Sequence, residues 1–158
     1  ITVKGWELGE GRFPVEGAPP AEVPARQVTV LVPYGSLFYA AVPVFNEQLP
    51  KVTKDSRQAV VILVLRGKKD VGSAFLTVIK RYAGLLRQRE SKLMLAGVDP
   101  YVLEQIERTG SIKFIGRENI FLADDRIGQA LLDAVDEADL WIATQPVDAS
   151  DRKDDKRG

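Results

Sequence analysis

Side chains with a capacity for chemistry are few, and they concentrate between Lys68 and Ser73. The run Lys68-Lys69-Asp70-Val71-Gly72-Ser73 sets two ammonium groups, a carboxylate and a hydroxyl between an apolar run and an amphipathic one. A serine at a helix start has two uses. Its hydroxyl can satisfy an orphan backbone N–H as an N-cap, worth ~1 kcal/mol. Alternatively it can carry a phosphoryl group, or sit beside a bound anion, held by the helix dipole and the neighbouring lysines. Both uses stay open for Ser73. Carboxylates pair at Asp124-Asp125 and Asp154-Asp155. Adjacent helix positions diverge, so neither pair suits acid–base catalysis. The first pair reads as a helix N-cap and the second as solvated tail. An oxygen-ligand Mg²⁺ site stays open there, but no spacing asks for one.

Composition removes several function classes. The 158 residues contain no histidine and no cysteine. The commonest general base, the commonest metal ligand, thiolate chemistry and disulfides are therefore absent. Lys plus Arg equals Asp plus Glu at 22 each, so net charge offers no argument for a nucleic-acid partner. No phosphate loop or dinucleotide fingerprint occurs: Gly67-Lys68-Lys69 is a fragment, and Gly9-Glu10-Gly11 precedes a proline-rich stretch, not a helix. No enzyme is expected, and no cofactor, beyond weak nucleotide or anion binding at the Lys68–Ser73 corner.

The elements that must position this corner follow from periodicity. Residues 1–27 read as a lead-in: weak strand alternation at Ile1, Val3 and Trp6, a turn at Gly9–Gly11, and an extended loop over Pro14–Pro24. Val28, Val30 and Val32 mark a strand. Phe38, Val42, Phe45 and Leu49 mark one face of a helix, with Pro43 in its first turn. Ala59–Leu65 is apolar on both faces, as a central strand must be. Ser73–Arg89 is the strongest helix, with Phe75, Val78, Ile79, Tyr82, Leu85 and Leu86 as its stripe. Leu93–Gly97 reads as a strand. Asp99-Pro100 opens a helix that Gly110 closes, and Ile112–Ile115 reads as a last strand. Asp124-Asp125 opens a final helix with Ile127, Leu131, Ala134 and Ala138 on one side. Residues 144–158 read as a disordered charged tail. The alternation predicts an α/β domain over 28–143.

Three stretches together resemble a known family. Val30-Leu31-Val32-Pro33-Tyr34-Gly35-Ser36-Leu37-Phe38-Tyr39-Ala40 resembles the strand and "G-S-L-F-F-A" segment that open STAS domains of SulP anion transporters. Val61–Leu65 followed by Gly72-Ser73-Ala74 resembles the strand and helix start that carry the family's D-S-[ST]-[AG] motif. Leu93–Val98 with Val102, Leu103 and Gly110 resembles its "L-x-L-A-G-V" segment. The resemblance spans roughly Val28–Ile142. It implies a mixed β-sheet flanked by about four helices, largely on one side, and a domain without chemistry of its own. Ser73 falls on the motif position that a kinase phosphorylates in stand-alone anti-sigma factor antagonists. Gly72 and Val71 depart from the motif's Ser and Asp, with Asp70 one residue early.

The resemblance implies a cytoplasmic regulatory and docking domain of a SulP-type transporter, at the inner face of the plasma membrane. Its expected partners are the membrane transport domain of the same chain, a second copy in a homodimer, and an acidic protein. A beginning at Ile1, not Met, fits a domain cut from a longer chain. The alternatives are a free-standing partner-switch protein controlled at Ser73, or a small nucleotide- or anion-binding module lacking the usual phosphate loop. The basic residues Arg81, Arg87, Arg89 and Lys92 read as a solvated face or as a surface for acidic headgroups or an acidic partner. Phe38 and Tyr39 read as core or as a partner-binding lip. Trp6 and Trp141, the latter placed just past the last helix, read as packing or interface residues.

Overall fold

The apolar runs assemble into one six-stranded sheet with helices on both faces. In the computed structural model, which describes residues 1–9 and 13–147, β1 (Thr2–Glu7) pairs antiparallel with β2 (Val15–Gly17) and with β3 (Val28–Tyr34). Strands β4 (Val60–Val64), β5 (Lys92–Val98) and β6 (Ile120–Leu122) continue parallel to β3. The order is β2-β1-β3-β4-β5-β6. The parallel strands β4 and β5 are buried on both faces, which is why their sequences are apolar without alternation.

Successive side chains point to opposite faces. Leu31, Val61, Leu63, Leu93 and Leu95 meet α1 (Ala41–Gln48), α2 (Ser73–Arg87), α3 (Pro100–Arg108) and α4 (Ile112–Ile115) through Phe45, Phe75, Ile79, Val102, Ile106 and Ile115. Val30, Val60, Ile62, Met94 and Ala96 meet α5 (Gln129–Thr144) through Leu131, Ala134 and Ala138. The expected mixed sheet with helices largely on one side is therefore present, with five helices among the described residues in place of about four.

The fifth helix comes from a correction. Ile112–Ile115 is a helical turn, not a strand: Ile115 N–H reaches the Ser111 carbonyl and Gly116 N–H the Ile112 carbonyl, at 3.2 and 2.8 Å. A four-residue apolar run carries no decisive period. Here Ile112 and Ile115 point inward one turn apart while Phe114 stays 38% exposed. The edge strand lies further on, at β6. The final helix likewise starts at Gln129, with Gly128 as its N-cap, so Asp124-Asp125 does not open it. The Asp124 carboxylate instead accepts from Arg126 N–H within a turn at 2.7 Å, and Ile127 is 86% exposed. Trp141 lies within α5, not past it. Leu85 faces solvent on α2, while Leu76 and Ala83 are buried in its place. The loop expected over Pro14–Pro24 contains β2. Thr144 is the last residue of α5, so the expected 144–158 tail begins inside the helix; its residues 148–158, and Glu10 and Gly11 of the expected turn, lie outside the described residues.

Candidate functional site

The Lys68–Ser73 segment connects the C-terminal end of β4 to the N-terminus of α2. Parallel strands release their loops at this edge, where ligands of open α/β sheets gather. Val71 anchors the segment, being buried within the core. Gly72 is the N-cap of α2 in an extended conformation, and Ser73 is the first helical residue. Ser73 is thus not the N-cap, contrary to the capping expectation. No side chain caps α2, and the exposed Ser73 hydroxyl makes no hydrogen bond among the described residues. Its carbonyl accepts from the Thr77 hydroxyl at 3.0 Å. The first-turn amides of a 15-residue helix therefore stay without a side-chain acceptor beside a free hydroxyl.

The two lysines differ. The Lys68 ammonium donates to the Gly35 carbonyl on the loop after β3. Partial burial pushes its pKa below the ordinary lysine value. Lys69 is exposed and makes no hydrogen bond or ion pair among the described residues. Asp70 does not turn toward Ser73: its carboxylate accepts from Gln105 Nε2 at 2.6 Å. Gln105 also receives Val71 N–H at 3.2 Å and donates to Val71 C=O at 3.0 Å. Gln105 is the residue that sequence reasoning missed. A lone polar residue on an amphipathic helix carries no signal of a loop thirty-odd positions away.

Phe38 and Tyr39 border the same corner. Both lie before α1, so neither is helical core. A Cβ on Gly72 would come within 3.2 Å of the Phe38 ring, so a larger residue there requires that partly exposed ring to shift. Tyr39 is 88% exposed in a left-handed conformation (φ 49°). The two rings form a lip beside Gly72, their centroids 6.3 Å apart.

The basic residues of α2 are partnered rather than simply solvated. Lys80 lies 4.3 Å above the Phe114 ring, Arg87 donates to the Phe114 carbonyl at 2.7 Å, and Arg81 donates to Asn46. At the opposite end of the sheet Lys92 lies 4.8 Å above the Trp141 ring. Burial lowers its pKa against the opposing pull of Glu118 and Glu137. Trp6 packs on the α5 side of the sheet and donates to Glu16 at 2.8 Å. Among the described residues no cluster of carboxylates could hold a metal ion. No helix there is long and apolar enough to cross a membrane.

Residues 20–126 match the family model described as STAS domain. A solved structure described as a sulfate transporter family protein from Wolinella succinogenes is similar, with a TM-score of 0.56 at 21% identity. The likeness covers 77% of this chain and 92% of that one. Among curated proteins none matches.

Proposed function

We propose, from the premise that this chain belongs to the STAS domain family, that it is the non-catalytic regulatory and docking domain of a SulP-type anion transporter, at the cytoplasmic face of the membrane. The observation that carries this reading is the fold likeness to a sulfate transporter family protein, which extends over 77% of this chain and 92% of that one. The sequence Gly35-Ser36-Leu37-Phe38-Tyr39-Ala40, which forms the aromatic lip, adds to it. The proposed route for regulation runs from Ser73 through Lys68 to Gly35. A Cβ on Gly35 would lie 3.1 Å from Ile1 Cα, and the Gly35 carbonyl holds Lys68. Charge gained at Ser73, by phosphorylation or by anion binding at the uncapped α2 terminus, competes for Lys68. That pull reaches Gly35 and so β1, the strand through which a preceding membrane part would join.

The experiment is to translate the parent gene upstream of Ile1. Some ten or more apolar segments of about 20 residues each support the transporter reading. A start codon within a few residues of Ile1 overturns it. In a full-length transporter, Ser73→Glu and Ser73→Ala should change transport in opposite directions; unchanged transport removes the corner as a control point. The exposed hydroxyl of Ser73 favours the second reading, a free-standing partner switch, if the upstream spans are absent.

A further inference from the structure

The outward side of α5 is not accounted for by the sheet. Ala130, Leu131, Ala134 and Ala138 face inward and are buried. On the opposite side Leu132 and Leu140 are 53% and 62% exposed. They lie eight residues apart, about 12 Å along the axis, with exposed Asp136 between them. Every charged residue of α5 is acidic: Asp133, Asp136, Glu137 and Asp139. Glu137 interacts with Lys92 and Asp133 accepts from Gln129 Nε2 at 2.8 Å; all four carboxylates are exposed, with Asp133, Asp136 and Asp139 around the leucines. The outer side of a surface helix is typically charged or polar, and the two leucines depart from that pattern.

The charges choose among occupants. A second copy packed α5 against α5 would bring these carboxylates face to face, and like charges juxtaposed across an interface oppose association. An anionic bilayer is repelled for the same reason. We infer that the outward side of α5 docks a basic amphipathic polypeptide segment. Its apolar side chains cover Leu132 and Leu140, and its Lys or Arg residues pair with Asp133, Asp136 and Asp139. Cytoplasmic loops of membrane proteins are rich in Lys and Arg. The inference rests on the transporter reading only for that source of the segment.

The test titrates the isotopically labelled chain with a 16-residue helical peptide of Leu, Lys and Ala, with the same peptide carrying Glu for Lys as control. Chemical-shift changes should centre on Leu132, Asp136 and Leu140, weaken with salt, and be absent with the Glu peptide. The double variant Leu132→Ser, Leu140→Ser and the single variant Asp136→Lys should each weaken binding at least tenfold. Both alter exposed positions, and the shift map on the unaltered chain stands even if a variant folds poorly. Absence of binding, shifts centred elsewhere, or equal binding of the Glu peptide overturns the inference. So does a dimer in sedimentation that Leu140→Ser dissolves, which makes the occupant a second copy. Protection of α5 by phosphatidylserine vesicles makes it a lipid surface and overturns it equally. None of these outcomes depends on what lies upstream of Ile1, so they do not bear on the transporter reading.

Discussion

Gln105 on α3 holds the Asp70 carboxylate with its Nε2 at 2.6 Å, and the same amide group takes both backbone polar groups of Val71. One side chain thereby fixes the loop that sets the start of α2. Val71 is buried, so its N–H and C=O have little recourse to water once Gln105 is removed. Gln105→Leu should cost about 1–3 kcal/mol, the range for leaving a buried polar group unpaired. Urea unfolding measures the loss. Amide exchange should quicken at Val71 and Ser73 well before it does in β4; uniform quickening would mean that Gln105 supports the fold as a whole rather than this corner.

Ser73 and Asp99 make a matched pair. Asp99 is the N-cap of α3, and its carboxylate accepts from Tyr101 N–H at 2.8 Å with Pro100 following. Ser73 has no such bond. Asp99→Ala should therefore destabilise by ~1 kcal/mol, while Ser73→Ala should stay within about 0.5 kcal/mol, the usual range for surface changes. A Ser73→Ala loss equal to that of Asp99→Ala in thermal unfolding would restore the capping role. Ser73→Glu should stabilise α2 slightly, by about 0.3–1 kcal/mol at low salt.

How far the sequence discloses this arrangement depends on whether its signals are local. Asp99-Pro100 and the double-sided apolar run around Val60–Val64 state their roles within a few residues, and the structure has both as read. The inward stripe of α2 reads correctly at Phe75, Ile79, Tyr82 and Leu86. Ile112–Ile115 misleads because four apolar residues suit a strand or a helical turn equally, and only Gly116 at φ 89° ends the turn. Ser73 misleads by one position, since Gly72 adopts the extended cap conformation first. Lys68 and Asp70 were legible as a charged corner, but not their partners. Gly35 and Gln105 arrive through tertiary packing from 33 and 35 residues away.

Tyr82 couples the core to alkaline pH. Its hydroxyl donates to the Pro50 carbonyl at 2.7 Å, and burial raises its pKa above the ordinary 10.0. A phenol whose folded pKa lies above its unfolded value stabilises the fold fully below about pH 10. That contribution is lost as pH rises beyond the unfolded value. Tyr82→Phe should cost about 1 kcal/mol at neutral pH through the lost hydrogen bond, yet flatten the decline of the melting temperature above about pH 10. Tyr34, raised by its hydrogen bond to Glu16, shifts in the same direction and leaves a residual slope. An unchanged alkaline slope in Tyr82→Phe would assign the effect elsewhere.

Gly97 tests whether the edge that carries the candidate site tolerates added bulk. The residue has φ 73° at the irregularity where β5 shifts its register against β6. A Cβ there would approach Arg66 at 3.0 Å from its Cβ and 3.3 Å from its Cα and backbone nitrogen. Two of those three atoms are main chain at the exit of β4, which Leu65 N–H ties to the Ala96 carbonyl at 2.9 Å. The left-handed conformation alone costs a non-glycine residue roughly 1–2 kcal/mol, and the contact adds to it. Gly97→Ala should therefore destabilise by about 2 kcal/mol or more, read as a lower urea midpoint. The displacement should also reach Asp124, whose carbonyl accepts from the Arg66 guanidinium at 3.1 Å. Altered amide shifts at Asp124–Arg126, with α1 unchanged, would locate the strain at this edge; a loss under about 0.5 kcal/mol would mean that β5 relaxes away from Arg66.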